Sequence, residues 1–313
     1  MTKDKLKGCL YGFAIGDALG LGTVFMTREE AAIRYPQGLT SFSQIIKDVH
    51  RNLYTFGEYS TCTTYVLLMA ESMIESSGLD ASDYARRLQN WYTSEYHHDV
   101  AAHMRWIMSY PDFINDPYTI SRHIQETMHY RESSNEALGR ALIAGLWPEY
   151  NEEEILKNSD LTNWGSLSDA CAAVISAMSH SLFRHNEEMD YNLLCEIANR
   201  INPELLPYLE IAADGDLDEL DLDDEDTASS APKALAAALW GLWHHSEHPV
   251  EALVNVISHG GDANTTGALT FALLGLKYGF SALPDHLTNE IVGRENLDEI
   301  VDKLHTILDG KVK

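Results

Sequence analysis

The segment from Gly260 to Thr266 (GGDANTT) contains the residue types that point most directly to chemistry in this chain. Two glycines permit positive φ angles and allow a ligand to approach the backbone closely. Asp262 or Asn264 can cap a following helix, and the amides of a first helical turn favour anions or oriented polar groups. A glycine C-cap followed by an Asx N-cap would give the same string. The segment therefore indicates either a ligand-binding loop or a simple connection between two helices.

Four other segments carry distinctive strings. They are Gly8–Gly20 (GCLYGFAIGDALG) with Phe25-Met26 after it, Gly57–Ser72 (GEYSTCTTYVLLMAES), Asn135–Arg140 (NEALGR) and Met178–His180 (MSH). Together with GGDANTT they resemble, in order and spacing, the motifs of the ADP-ribosylglycohydrolase family. Its corresponding patterns include G-x-W-T-D-D-T-x-M-x-L-A-x-S, N-G-x-x-M-R and GGDxDT. The resemblance covers nearly the whole chain and implies the family's fold, an orthogonally packed helical bundle.

The motifs that carry the family's chemistry are altered. The resemblance implies a glutamate after GDALG that acts at the scissile ribose, and four aspartates that hold two magnesium ions. Here the glutamate position is Val24, the aspartate pair after the threonine is Thr61-Cys62, and the second aspartate of the last motif is Asn264. Three of the four metal-binding carboxylates are therefore replaced.

Only Ser60, Asp262 and Thr265 keep ligand-like oxygen atoms at the implied metal positions. Mg²⁺ requires anionic oxygen ligands in an octahedral shell. Two adjacent dications also repel each other unless carboxylates screen them. We therefore expect a vestigial metal site that binds no cofactor or a single, weakly held Mg²⁺.

Asn135 and Arg140 match polar positions of the family pattern and are candidates for ligand contact. In so acidic a chain, an arginine there could hold a phosphate or ribose bidentately, or simply pair with one of the many acids. The remaining predicted ligand-binding residues lie in the two altered motifs and are Thr61, Cys62, Gly260, Gly261 and Asn264.

No residue replaces the missing glutamate convincingly, and the catalytic residues stay unknown. Asp17 and Glu58 are weak candidates, because Asp17 also suits a capping role and Glu58 only neighbours the family's aromatic position. Cys62 could be a nucleophile, but a small buried thiol is the commoner situation. His97, His98 and His103 are not spaced to place two imidazoles on one helix face, so a zinc site is not favoured.

The charge is extreme, with 22 Lys and Arg against 48 Asp and Glu and a net charge of −26. This excludes partners that rely on cationic surfaces, namely nucleic acid and anionic membranes. An acidic loop at about 214–227 contributes nine carboxylates between Asp214 and Asp226. Asp214, Asp216, Asp218 and Glu225 resemble a calcium loop, but Glu219 stands where that loop needs glycine. We interpret the segment as a solvated acidic loop.

Apolar residues repeat at three- and four-residue steps nearly everywhere, which predicts helices. No segment alternates at period two, and the prolines fall between the periodic segments. The sequence thus predicts a single all-α domain over residues 1–313. The predicted helices cover residues 6–19, 63–76, 81–92, 101–110, 134–146, 168–183, 191–201, 233–243, 250–258, 265–278 and 297–308.

Cellular context is predicted from absences in the sequence. No cationic leader with an apolar core precedes Gly8, and the longest apolar stretches are too short to span a bilayer. The four cysteines show no close pairing, which suits a reducing compartment. We expect a cytoplasmic protein.

Three functions compete at this point. One is a degenerate family member that binds an ADP-ribose-like or nucleotide-like ligand, or an ADP-ribosylated protein, with lost or strongly altered hydrolysis. Another is an active hydrolase of N- or O-glycosidic ADP-ribosyl bonds that works with one metal ion or none. A third is a structural or interaction protein that uses its acidic surface.

Overall fold

A computed structural model describes residues 3–94, 97, 99–128, 134–245 and 247–310. These residues form sixteen α-helices and no β-strand; Ser134 and Ser230 make an isolated bridge. The predicted all-α fold class is confirmed. The helices are α1 (Lys3–Gly20), α2 (Arg28–Arg34), α3 (Thr61–Ser76), α4 (Ala81–Ser94), α5 (Ala102–Ser109), α6 (Pro117–Met128), α7 (Glu136–Ala144), α8 (Glu152–Asp160), α9 (Ser166–His180), α10 (Tyr191–Ile201), α11 (Leu206–Asp214), α12 (Ala231–His244), α13 (Pro249–Ile257), α14 (Ala263–Tyr278), α15 (Asp285–Glu290) and α16 (Arg294–Gly310).

All eleven predicted helices are present, and five further helices were not predicted. The missed helices are α2, α6, α8, α11 and α15. Most are short or largely polar, so periodicity gave little signal. Capping defines α2 instead, because Thr27 and Glu30 form a reciprocal capping box. The helix predicted over 168–183 ends at His180 and continues as a π-helical turn, Ser181–His185.

The centre of the fold is the pair α1 and α14, which come from opposite ends of the chain and pack along each other. Every residue of α1 from Gly8 to Gly20 is buried. The backbones touch: a Cβ atom added to Gly16 would lie 2.2 Å from the carbonyl oxygen of Gly267. Only glycine permits this approach.

The other helices surround this pair. Helices α12 and α13 pack on α14, α16 packs on α1 and α3, and α7 packs between α3 and α9. This arrangement directs the N-termini of α3, α5, α7 and α14 towards one cavity. Among the described residues, no helix combines the length and the apolar character needed to cross a bilayer.

Most carboxylates of the acidic loop are exposed to solvent, while apolar residues anchor the loop to the protein. Leu217, Leu220 and Leu222 are buried beneath it. Asp218 pairs with Arg28 and with His259, whose Nε2 lies 2.8 Å from Asp218 Oδ1. Within the described residues no cluster of three or more metal-ligating side chains occurs. Several of the loop's carboxylates thus serve as caps or ion-pair partners.

Candidate functional site

A cavity of about 350 Å³ opens where the four helix N-termini meet. Most predicted site residues line it: Val24, Ser60, Thr61, Cys62, Asn135, Asp262, Asn264 and Thr265. It is also lined by residues that were not predicted, including Phe25, His50, Tyr54, Tyr65, Asp99, Arg105 and Glu136. The positive ends of the helix dipoles favour negative charge here.

The Asp17 carboxylate holds the two altered motifs together. Its Oδ2 accepts hydrogen bonds from the backbone nitrogens of Ser60 (3.0 Å) and Thr63 (3.1 Å) and from Thr63 Oγ1 (2.6 Å). Asn264 Nδ2 lies 3.4 Å from Asp17 Oδ1 and 3.2 Å from Ser60 Oγ. Burial raises the pKa of Asp17 to about 6, against the opposing effect of these bonds. The motifs near residues 60 and 264 therefore meet in space, as predicted.

Neither weak catalytic candidate lines the cavity. Asp17 is fully buried behind it. Glu58 Oε2 accepts hydrogen bonds from the backbone nitrogen (2.7 Å) and Oγ1 (2.9 Å) of Thr55 and so closes its own turn. Val24 presents an apolar side chain to the cavity, while its carbonyl oxygen accepts a 2.6 Å bond from Arg51 Nη2.

The donor atoms do not fit a pair of magnesium ions. Asp262 is the one remaining carboxylate of the implied four, and both its oxygens are engaged, by Asn135 Nδ2 (2.7 Å) and by Thr265 Oγ1 (3.1 Å). Burial raises the pKa of Asp262 to about 6, which these two hydrogen bonds oppose. The amide nitrogen of Asn264 points towards Asp17 and Ser60, where a metal would need an anionic oxygen.

Cys62 lines the cavity as a protonated thiol. Burial, followed by the charges of Asp17 and Asp262, raises its pKa well above the usual value, and a side-chain bond with Thr265 only partly opposes this. A thiol is a poor nucleophile and a poor ligand for a hard cation. The geometry therefore favours neither nucleophilic nor metal-binding use of Cys62.

Gly260 and Gly261 have the positive φ angles that the sequence indicated, 73° and 59°. They do not line the cavity, and the close approach is to the protein's own backbone. A Cβ atom on Gly261 would lie 1.8 Å from the carbonyl oxygen of Leu222. Gly261 also exchanges backbone hydrogen bonds with Phe25 (2.8 Å) and Met26 (2.9 Å). The glycines thus fix the loop that carries Asp262.

Arg140 lies behind the cavity wall, buried to 1% exposure. Its Nη2 donates to the carbonyl oxygen of Ser159 (2.9 Å) and to Thr162 Oγ1. Asn135 and Glu136 at the start of α7 line the cavity, whereas Arg140, on the same face as Glu136 but one turn further along the helix, contacts the α8–α9 connection. The side chain therefore orders the α8–α9 connection and does not reach a ligand in the cavity.

Near Arg140, Asp160 and Asp169 form a partly buried pair of carboxylates. Burial raises both pKa values above the ordinary aspartate range, and the neighbouring charge of Asp160 raises the pKa of Asp169 further. The folded protein thus binds protons more tightly than the unfolded chain, so this contribution to stability is full at low pH and is lost as pH rises from about 4 towards neutrality.

We expect Asp169→Asn to flatten this dependence. The free energy of unfolding should fall between pH 5 and pH 8 by about 1 kcal/mol less in the variant than in the parent, after allowance for solvent screening. Urea titrations at both pH values measure the difference. The exposed control Asp112→Asn should retain the parent's slope; equal slopes in parent and Asp169→Asn would contradict the prediction.

The least expected carboxylate in the cavity belongs to Glu136, the first residue of α7. Its Oε2 lies 3.2 Å from His103 Nε2 and 3.2 Å from Asn163 Nδ2. Its burial disfavours ionisation, but His103, Ser134 and the backbone amide outweigh it and lower the pKa of Glu136 to about 2. Sequence reasoning missed this residue. The available signal was that Glu136 replaces the glycine of the family's N-G-x-x-M-R pattern.

The histidines near the site are not grouped. His97 stacks on Trp91 with ring centroids 3.9 Å apart, whereas His103 faces Glu136. His98 lies outside the described residues. The described imidazoles thus serve separate contacts.

The rim of the cavity combines an aromatic ring with a cation. Phe25 is 73% exposed, has a φ angle of 60°, and packs edge-on against His50 with centroids 5.9 Å apart. Such strain in a non-glycine residue often marks a functional position. Arg105, in the first turn of α5, is exposed and makes no ion pair with the residues that the structure describes.

Comparison with known proteins gives a consistent family. The ADP-ribosylglycohydrolase family model matches residues 1–311. The chain is 24% identical over 315 residues to the ADP-ribosylarginine hydrolase Tri1 of Serratia proteamaculans (strain 568), covering 96% of this chain and 79% of that protein. It is 24% identical over 304 residues to the ADP-ribosyl-(dinitrogen reductase) glycohydrolase of Rhodospirillum rubrum, covering 90% and 88%.

A solved structure described as an ADP-ribosylglycohydrolase-related protein complex has the same fold. It superposes with a TM-score of 0.72 at 20% identity, over 97% of this chain and 98% of that chain. At this identity the likeness establishes the fold alone.

Proposed function

Because the chain belongs to the ADP-ribosylglycohydrolase family, we propose that its cavity binds an ADP-ribose-like ligand and that two-magnesium hydrolysis is lost or strongly altered. One observation carries the proposal. The motifs around Ser60 and Asn264 meet at Asp17 and line one cavity, although three of the four implied metal-binding carboxylates are replaced. This supports a cleft that binds the ligand without the two-magnesium chemistry.

The cavity offers distinct surroundings for the two ends of such a ligand. Asp99 and Asp262 line it as carboxylates that can accept hydrogen bonds from ribose hydroxyls. At the rim, Arg105 supplies a cation for a pyrophosphate, and Phe25 supplies an exposed ring for stacking. Helix N-termini add partial positive charge.

The ligand can be free or attached to a protein. Two relatives are named for ADP-ribosylarginine and for dinitrogen reductase, and we extend the arginine linkage to this chain as part of the proposal. The four cysteines are free, which supports our placement of the protein in the cytoplasm. The strong negative charge makes nucleic acid a poor partner.

Calorimetry with ADP-ribose tests the proposal. We expect binding in the presence of EDTA, because no magnesium is needed to hold the ligand, and we expect Arg105→Ala to weaken it about tenfold through loss of a charge-assisted bond. The matched control is Arg122→Ala, since Arg122 is exposed and pairs with Glu126 on α6 (3.0 Å). If ADP-ribose does not bind the parent, or if both variants bind equally well, the proposed ligand site is wrong.

A further inference from the structure

Each carboxylate in the cavity is held by neighbouring groups. Asp262 has both oxygens engaged, and Asp99 Oδ2 accepts from Tyr54 (2.9 Å) and from the Thr61 nitrogen (2.8 Å). Glu136 Oε2 lies beside the His103 imidazole and accepts from Asn163, and its side chain remains 12% exposed, on the cavity. It is therefore an anchored anion that a bound molecule can reach.

The groups that anchor Glu136 form a continuous buried network. Asn163 Nδ2 donates to Glu136 Oε2, and Asn163 Oδ1 accepts from Thr162 Oγ1 (2.6 Å). Thr162 in turn accepts from Arg140, which is 1% exposed. On the opposite side His103, 5% exposed, approaches from α5. Several packed elements thus fix one carboxylate, as preorganised electrostatic stabilisation requires.

We propose that Glu136 is a catalytic residue that stabilises the ribosyl cation during metal-independent cleavage of a guanidinium N-glycoside. The inference rests on the proposed function, which supplies the ADP-ribose-like ligand. For the arginine-linked substrate proposed above, it names the group that replaces the family's magnesium-dependent chemistry.

The chemistry suits a single fixed anion. The guanidinium of the substrate already carries its proton, so when the C1–N bond breaks, both bonding electrons leave with a neutral guanidine. The ribose C1 becomes an oxocarbenium ion, and the negative charge of Glu136 stabilises it. Water then forms the new C1–O bond and gives its proton to the departing guanidine, which leaves as guanidinium. Atoms and charge balance without a metal or an added acid.

The low pKa of Glu136 agrees with this role, because a stabilising charge must be present throughout the neutral range and need not accept a proton. Glu136 is also the first residue of α7, where the positive end of the helix dipole stabilises an ionised carboxylate. His103 and Asn163 act as positioning residues, since they hold the carboxylate and need not touch the substrate.

The test measures release of arginine from ADP-ribosyl-arginine in excess EDTA, with ADP-ribose binding measured in parallel. We expect turnover by the parent and a decrease in kcat of about 100-fold or more in Glu136→Gln, at unchanged KM and unchanged ADP-ribose affinity. Added formate or azide should partly restore turnover in Glu136→Ala by supplying an anion to the vacated space. The control Glu126→Gln, on exposed α6, should match the parent.

The outcomes separate the inference from the function on which it rests. A parent that binds ADP-ribose but shows no EDTA-resistant turnover overturns the inference and leaves the binding function intact. Equal kcat in parent and Glu136→Gln overturns it as well. A parent that binds no ADP-ribose overturns both. Circular dichroism of Glu136→Gln confirms that any loss is not caused by unfolding.

Discussion

Replacing Gly16 with alanine should destabilise the protein by about 4 kcal/mol or more, which is a large part of the stability of a typical domain. The added Cβ atom would lie 2.2 Å from the oxygen and 2.5 Å from the carbon of the Gly267 carbonyl. Both are backbone atoms of a buried helix, so no side chain can rotate away and α1 must separate from α14. Urea denaturation followed by circular dichroism measures the loss.

A second glycine provides the matched control. Gly310 is the last residue of α16, and no atom lies within 4 Å of the position its Cβ would occupy. Gly310→Ala should be neutral or slightly stabilising, because alanine has the higher helix propensity. If Gly16→Ala were as stable as Gly310→Ala, the close packing of α1 on α14 would be refuted.

Restoring the family's carboxylates should convert the cavity into a divalent metal site. We expect the combined variant Val24→Glu, Thr61→Asp, Cys62→Asp and Asn264→Asp to be strongly destabilised without metal, since four acids are added beside Asp17 and Asp262. Millimolar Mg²⁺ should then raise its Tm by several degrees, because a metal that binds only the folded state stabilises it. Thermal denaturation with and without Mg²⁺ measures the effect.

The parent serves as the blank in this experiment. It contains the same acidic loop, so any weak Mg²⁺ binding by residues 214–226 appears equally in both proteins. Mg²⁺ should change the Tm of the parent little. It should also raise the Tm of each single variant much less than that of the combined variant, because the four residues act together as one metal site. If Mg²⁺ did not change the Tm of the combined variant, the backbone would no longer place these side chains at distances suitable for binding the ions.

The sequence predicted the long, strongly periodic helices well and the short polar ones poorly. Helices α1 and α14 were identified because their apolar residues continue over four turns. Helix α8 begins with three glutamates, and α2 is only seven residues long, so their stability comes from capping and from packing on neighbours. Periodicity cannot register either effect.

Site residues that belong to the sequence motifs could be predicted. Contacts that depend on how separate helices pack could not. The meeting of Ser60 with Asn264 was expected from the family resemblance, which assigns both motifs to one metal site. The pairing of Glu136 with His103 did not, since those residues belong to different helices and their distance depends on how α5 and α7 pack. Arg140 was misjudged for a related reason: its residue type suggested a ligand contact, but it lies one turn deeper in α7 than Glu136 and is buried against Ser159 and Thr162.

The pairing of α1 with α14 has a consequence for biosynthesis. Asp17 and Asn264 are 247 residues apart in the chain, so at typical elongation rates roughly 12 to 50 s separate the synthesis of the two helices. During that interval α1, whose segment from Gly8 to Gly20 carries Asp17 as its one charged residue, lacks its partner on the ribosome. Such high contact order slows folding and leaves the nascent chain prone to aggregation. The cavity, which needs both helices, is therefore among the last parts of the molecule to form, and chaperone dependence should centre on the N-terminal helix.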